Sequence, residues 1–553
     1  MTAWRTASFW LPVMGWAIAA AMLASGGWWL TQGYSPVPKD DYWDHINWLR
    51  AIHHRGTIHA GDFWRLANEH RIVLPRLAFL ADDWLARSRG TVAIMAIIAI
   101  QLIHGLVWVR LIMASDLPRL SRHLMAALAL GLCLSMGQTQ NLTWGNQVQF
   151  VLVFLAGTLA WQALAREGRS GILLACLWAA VSSLSMANGL LCGIVLVMLA
   201  WAQRRPAAAV LALAAFTLAA FAAYLWDYRS PPPPHTTPAD AIRQLDRFII
   251  YVCFYLGAPV ATGARAVGAL TGLAGLLVAA GIGLRLIFRR PAMDRLDLVC
   301  CGSILFVAGT AVITGIGRFE LGTEQAISSR YMTPVYIFWI AIFVLLTRWL
   351  AARPVLRHAG LALAGIWLAG FVIPDHIKSG LQARQYALKL NTAGIALIMQ
   401  VDDAASLRAA YPVPDIPFTL ASFLRAERRA LFDTPLARLP GSASVGHAGL
   451  PHCNGRLDVT ARAGERSPGL RFEGWLMDPG TGAPPPFLAM LDGRGVVVGL
   501  GATGYRRNDV RRVLGLRTAR LSGFVGYAGP AAEVAALLGL TAAGEAVCML
   551  PVR

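Results

Sequence analysis

The feature that most constrains this chain is its series of long apolar runs. Thr91–Met113 carries no charge before Arg110, and Ala207–Trp226 carries none at all. A run of about 20 apolar residues is what an α-helix needs to cross the hydrocarbon core of a bilayer. Runs near 9–31, 91–113, 123–137, 147–165, 171–186, 188–203, 207–227, 264–288, 297–316, 331–349 and 358–374 predict a polytopic α-helical membrane protein with about 11 transmembrane helices. Composition agrees: 56% of the 553 residues are hydrophobic and 14% charged, against roughly 25% charged in soluble globular chains. The first run is too long for the apolar core of a signal peptide. It ends on the bulky Trp28, Trp29 and Leu30 where cleavage needs small residues, so it reads as an uncleaved first helix.

The net charge of +19 raises nucleic acid as a partner, and the placement of the charge excludes it. The arginines gather in short gaps between apolar runs: Arg119 and Arg122, Arg166 and Arg169, Arg204 and Arg205, Arg289 and Arg290, and Arg348, Arg353 and Arg357. Cytoplasmic loops of membrane proteins carry this bias. With Arg5 inside, an odd number of crossings sends every such gap to the cytoplasm and the C-terminal region outside. A crossing at Phe248–Val260 would break that parity, so this segment reads as an outer-surface or re-entrant helix.

Three regions follow. Residues 1–375 form the transmembrane domain, with a long first outer loop at 32–90. Residues 376–440 keep a helical period and form an extracytoplasmic connector. Residues 441–553 carry short alternating runs such as Gly469–Trp475 and Val496–Gly501, split by turns such as Asp478-Pro479-Gly480. These predict a C-terminal extracytoplasmic β-sandwich of carbohydrate-binding texture. The run Pro231–Pro234 favours polyproline II. Of eight cysteines, six lie in or beside apolar runs. Cys453 and Cys548 fall near the two ends of the terminal region, where an oxidising compartment permits a disulfide between them.

The polar residues that could carry chemistry cluster on the outer side. Lys39-Asp40-Asp41-Tyr42-Trp43 precedes apolar positions Trp43, Ile46, Leu49 and Ile52, an interfacial amphipathic helix with two carboxylates at its start. One carboxylate suits helix capping; a second is surplus to that role. Asn68-Glu69-His70-Arg71 sets a carboxylate, an imidazole and a guanidinium beside one another. They would bind an anionic headgroup, assist proton transfer, or form an interfacial salt-bridge cluster. Asp82-Asp83 reads as ordinary surface charge, with Asp83 and Arg87 at ion-pair spacing. Arg318 and Arg330, the latter followed by Tyr331, lie at the mouths of two spans, either to fork onto phosphate oxygens or to snorkel. Asn146 and Gln149, in the outer segment Gly137–Gln149, could bind sugar hydroxyls or cap helix ends.

An acidic pair in a long first outer loop, about 11 spans and an outer C-terminal domain together resemble the GT-C superfamily of membrane glycosyltransferases. The plan is similar to that of the bacterial aminoarabinose, mannosyl- and arabinosyltransferases. Asn68-Glu69-His70-Arg71-Ile72 with Ser329-Arg330-Tyr331 resembles runs in bacterial membrane proteins of this kind. The resemblance covers roughly residues 1–375. It implies a polyprenyl-phosphate sugar donor, a glycan, lipid or protein acceptor, and a catalytic acid-base at Asp40 or Asp41. It implies Glu69, His70, Arg71, Arg318, Arg330, Tyr331, Asn146 and Gln149 as substrate-binding candidates. Some members carry Asp-x-Asp or Asp-Glu where this chain has an adjacent pair. A divalent cation, Mg or Mn, held by Asp40 and Asp41 therefore stays open. A lipid-linked glycan flippase, another membrane transferase or ligase, and a glycan-binding scaffold are the rival classes. A flippase is disfavoured by the scarcity of charge within the spans.

Overall fold

The computed structural model describes residues 2–229, 236–443 and 449–552; the Pro231–Pro234 expectation lies outside them. Among the described residues, nine helices are long and apolar enough to cross a membrane, from Trp10–Gly33 to Pro354–Ile398, and Gly168–Ser183 and Ala187–Ala202 are shorter apolar helices. The chain divides into two compact units. The first is Met1–Thr31, Ile58–Ala78 and Ala93–Leu381. The second is Gln32–Thr57, Phe79–Val92 and Gln382–Arg553. The stretch 32–90, expected as the first outer loop, is thus divided between them.

In the first unit the arginine-rich gaps meet at one end of the bundle. Arg205 donates to the carbonyls of Leu164 (2.5 Å) and Arg166 (3.2 Å), and the Arg290 guanidinium lies 3.4 Å over the Trp201 ring. Arg348 pairs with Asp116, Asp294 and Asp297 at 3.4, 2.8 and 3.1 Å. Between the ends, small residues let backbones touch. A Cβ on Gly272 would lie 1.8 Å from the Cys253 carbonyl oxygen, and one on Gly257 would lie 1.8 Å from that of Gly268. Leu245–Leu256 therefore packs backbone to backbone on Arg265–Arg289. Leu245–Leu256 and Ala258–Ala261, the Phe248–Val260 segment, are not among the nine long apolar helices.

The segment 137–149, expected on the outer side, is largely buried. The helix Arg119–Gly131 passes into 3-10 turns and breaks at Ser135, which is extended (ψ 125°). Gln138 Nε2 donates to the freed carbonyls of Leu132 (2.9 Å) and Cys133 (2.8 Å). Gln101 donates to Gln138, and Asn141 donates to Thr333. Residues that leave helical geometry inside apolar surroundings need such partners, which is why this stretch is rich in amides.

The terminal strands are β1 (Asn454–Ala463), β2 (Gly469–Met477), β3 (Phe487–Leu491), β4 (Val497–Tyr505), β5 (Gly523–Ala528), β6 (Ala536–Leu540) and β7 (Ala546–Pro551). They form one seven-stranded antiparallel sheet in the order β1-β2-β5-β4-β3-β6-β7. The expected sandwich of two sheets is not formed; this single sheet curls into a half-barrel. Register shifts at Leu457/Val459, Met490/Leu491, Thr503/Tyr505 and Gly539/Leu540 allow the curl. Its concave face closes on Phe472, Leu488, Met490, Phe524 and Leu537. At one end the outermost strands meet: Cys453 N donates to the Met549 carbonyl and Met549 N to that of Pro451. Cys453 and Cys548 are joined there by a disulfide, with Cα atoms 5.1 Å apart. The helical stretch of the same unit contacts the sheet through a Thr392–Tyr505 hydroxyl pair at 2.7 Å and a Ser406–Tyr527 pair at 2.6 Å.

Candidate functional site

The Asn68–Arg71 segment is shaped by a tight turn. Ala67 and His70 exchange backbone hydrogen bonds (2.8 and 2.9 Å), and Asn68 sits at φ +50°, a left-handed conformation that Asn tolerates better than most residues. Arg71 anchors this turn. Its guanidinium donates to the carbonyls of Trp64 (2.7 Å), Tyr224 (2.7 Å) and Trp226. The Tyr224 hydroxyl accepts from Arg71 N (3.1 Å) and donates to the Glu69 carbonyl (3.0 Å). Buried and held through three of its N–H groups, Arg71 is a positioning residue that aims its neighbours. Arg71, expected as a substrate-binding residue, is not among the residues that line the cavity described next.

Glu69 and His70 face a cavity of about 250 Å³. Arg318, Tyr331, Tyr255, Tyr228, Asn188 and Thr310 also line it. Helix ends bring them together: the close of Arg295–Arg318, the turn Ala187–Gly189 and the turn Ser329–Tyr331. Arg318 donates to Glu69 Oε1 at 2.7 Å, and His70 Nε2 lies 3.6 Å from the same oxygen. Tyr255 and Tyr331 lie ring to ring, with centroids 4.6 Å apart.

Burial alone would raise the Glu69 carboxyl. The charges of a protonated His70 and of Arg318, with the Arg318 hydrogen bond, outweigh it and hold the group at about 2. His70 is pushed below its usual value by burial, against the pull of Glu69 and with the repulsion of Arg318 and Arg330. At pH 7 the imidazole is therefore neutral, and Arg318 is the cation that keeps Glu69 ionised. Arg330 lies within electrostatic reach of His70 and has no carboxylate partner among the described residues. Its backbone is held by Gln140 and Asn141, its Nε is buried without an acceptor, and its guanidinium lies 5.4 Å from the Tyr331 ring centroid. With Glu69 and Arg318 cancelling, Arg330 leaves the region in positive excess, the condition for holding an anion.

Asp40 and Asp41 belong to the second unit. Asp40 takes φ +46°, and its N–H donates to the Ala410 carbonyl at 2.7 Å. Asp41 precedes the helix Tyr42–Arg55, but its side chain does not cap it. That helix buries Trp43, Ile46, Leu49 and Ile52. Asp44, not singled out by sequence reasoning, is pushed up to about 6 by partial desolvation and by Asp41. Lys39 is pushed down to about 8 by burial, opposed by Asp40, and its ammonium lies 5.0 Å from the Tyr386 ring centroid. Tyr411 is pushed up to about 12 by burial and by the charges of Asp44, Asp41 and Asp40. Among the described residues no group of three or more His, Cys, Asp or Glu is placed to hold a metal ion.

The second acidic pair departs from expectation. Asp82 and Asp83 are 0% and 1% exposed, not surface charges. The helix Val73–Ala86 ends before Arg87, which turns to φ +51° and leaves ion-pair spacing. Asp83 instead pairs with Arg429 (2.6 Å) and His53 (3.2 Å), and Asp82 accepts from the N–H groups of Gly90 and Val92, both at 2.7 Å.

Asn146 and Gln149 are buried and do not line the cavity; Phe150 and Phe154, on the same stretch, do. Asn188, Thr310, Tyr228 and Tyr255 were not foreseen. They lie on four different elements, and no local motif links them.

The long apolar helices define a membrane-embedded, polytopic helical protein with a C-terminal β unit. Comparison of the chain with protein-family models, with curated proteins and with solved structures finds no match in any of the three.

Proposed function

We propose that this chain is a membrane glycosyltransferase similar in plan to the GT-C superfamily. It moves a sugar from a polyprenyl-phosphate donor to a glycan, lipid or protein acceptor at the outer face of a bacterial inner membrane. The observation that carries this reading is the cavity at Glu69, His70 and Arg318, with Arg330 supplying unpaired positive charge beside it. It lies at the helix ends opposite the arginine-rich gaps, the end that charge bias assigns to the outside.

In this reading Arg330 and Arg318 receive the donor phosphate. The acceptor hydroxyl oxygen attacks the anomeric carbon, and the bond from that carbon to the phosphate oxygen breaks. Polyprenyl phosphate leaves with the electron pair, its charge stabilised by the arginines. The hydroxyl proton passes to a general base, the role that the GT-C resemblance gives to Asp40 or Asp41. One displacement inverts the anomeric centre. The β unit is then extracytoplasmic.

Purified protein in proteoliposomes, supplied with a polyprenyl-phosphate sugar and membrane-derived acceptors, tests this. Transfer should occur, and either Asp40→Asn or Asp41→Asn should abolish it with expression intact. Arg330→Lys keeps the charge but loses the planar fork, and apparent donor affinity should fall about tenfold. Full transfer by the double Asp40→Asn/Asp41→Asn variant would remove the pair from the mechanism.

A further inference from the structure

A second cavity, of about 680 Å³, lies within the first unit between three helices. They are Thr2–Gly33, Arg119–Gly131 and Pro354–Trp367. The lining runs from Leu11 to Met22, from Leu120 to Gly131 and from Arg357 to Leu368. The first two helices run in the same direction, since Gly15 meets Leu124 and Gly26 meets the Leu134 carbonyl. The third follows them: Ser25 Oγ lies 2.9 Å from His376 Nε2, and Gly380 meets the Trp29 ring. Met136 N donates to His376 Nδ1 at 3.0 Å. Beyond Met22, Gly131 and Leu368 the three segments therefore meet and close the cavity. At the other end stand Arg357 and His358, the only polar side chains among its described lining residues. Arg357 donates to the Ala351 carbonyl at 3.2 Å and, among the described residues, pairs with no carboxylate. Leu11, Met14 and Ile18 remain exposed, so the cavity is a groove open along one side.

We infer that this groove seats one anionic phospholipid of the leaflet at the arginine-rich end, its acyl chains along the apolar wall and its phosphate on Arg357. Length, charge and placement agree on that occupant. Each lining stretch rises about 16 Å along its helix, roughly half of the hydrocarbon core. The groove thus holds the chains of a lipid in one leaflet and ends where the helices meet. A bilayer fills any such groove with chains, and a cation at the mouth selects the headgroup. Basic pockets between membrane helices on the cytoplasmic side hold anionic lipids in this way. Arg357 belongs to the gap of Arg348, Arg353 and Arg357, the end that charge bias assigns to the cytoplasm. The donor phosphate of the transferase reading belongs at the opposite end, with Arg318 and Arg330. The groove is therefore a separate site, and the inference does not rest on that reading. The lipid acts as a wedge that braces three helices joined at one end only.

The full chain, purified in detergent with equal amounts of phosphatidylglycerol and phosphatidylcholine of matched chains, tests this by native mass spectrometry of the lipid it retains. Wild type should retain one phosphatidylglycerol, preferred at least about tenfold over phosphatidylcholine. Added phosphatidylglycerol should also raise its melting temperature. Arg357→Gln should lose most of the preference while still holding lipid. Gly365 lines the groove, and a Cβ there would meet nothing within 4 Å. Gly365→Leu therefore fills the groove without crowding a neighbouring helix. It should fold, lose the retained lipid and show no melting shift with phosphatidylglycerol. Arg330→Lys, at the other end of the bundle, should retain phosphatidylglycerol as wild type does. Equal retention of the two lipids by wild type overturns the inference, as does undiminished preference in Arg357→Gln or in Gly365→Leu. Displacement of phosphatidylglycerol by an equal amount of polyprenyl phosphate overturns it too, and would assign the groove to the donor's lipid.

Discussion

Arg318 reaches Glu69 across 249 residues of sequence and closes on it at 2.7 Å. The two side chains are mostly buried, at 24% and 22% exposure. Removing one partner leaves the other as an uncompensated charge, so Glu69→Gln or Arg318→Met should each destabilise by about 3 kcal/mol. The double variant should recover part of that loss. Thermal unfolding in detergent measures all three, and additive losses would deny the coupling.

The same pair sets a pH signature. Glu69 titrates at about 2 in the fold against 4.5 unperturbed. A lowered acid contributes stability that is present above the unfolded value and lost as pH falls toward the folded one. The wild type should therefore lose melting temperature between pH 4.5 and 2 more steeply than Glu69→Gln. Parallel pH profiles would show that His70 and Arg318 do not hold the carboxylate ionised.

Arg71 and Tyr224 position the turn, and their removal should act on function through geometry. Tyr224→Phe deletes one donor and one acceptor from the turn and should cost about 1–2 kcal/mol. Arg71→Lys keeps the charge and cannot bridge three carbonyls. In both variants turnover should fall more than donor affinity, because Arg318 and Arg330 remain. A pure loss of affinity with normal turnover would place Arg71 on the substrate.

These contacts show what the sequence made legible. The apolar runs and the arginine gaps need only local reading, since hydropathy and charge bias act residue by residue. Glu69, His70, Arg318 and Tyr331 stand out as polar groups at span ends, and they line one cavity. What stays hidden depends on where a backbone turns. Arg87 leaves its helix at positive φ, so the spacing of Asp83 and Arg87 misleads, and Arg429, far along the chain, becomes the partner. Arg71 looks like an anion ligand until its three carbonyls are seen. One curled sheet and two packed sheets share the same alternation along each strand, and only the bulges and the strand order separate them.

Asp44 supplies a second pH test of opposite sign. Its folded value is about 6 against 3.8 unperturbed. A raised acid favours the fold below the unfolded value, and that contribution is lost as pH rises through the folded one. Asp44→Asn should therefore raise the melting temperature at pH 7 and leave it unchanged at pH 4. No gain at pH 7 would mean that neither burial nor Asp41 raises it.

The last prediction uses two glycines on one helix. Gly272 and Gly281 both lie within Arg265–Arg289. A Cβ on Gly272 would meet the Cys253 carbonyl oxygen at 1.8 Å, a backbone atom that moves only if the whole helix Leu245–Leu256 moves. A Cβ on Gly281 would meet nothing within 4 Å. Gly281→Ala gains helix propensity and restricts the unfolded chain, and should stabilise by about 0.5–1 kcal/mol. Gly272→Ala gains the same propensity but must separate the two backbones, and should destabilise by at least about 2 kcal/mol. Tyr251 and Tyr255 sit on the displaced helix, and Tyr255 lines the cavity, so Gly272→Ala should also slow sugar transfer from the polyprenyl-phosphate donor. Melting temperatures and transfer rates of the two variants, measured side by side, check this. Equal stability of the two would show that the helices are not in backbone contact.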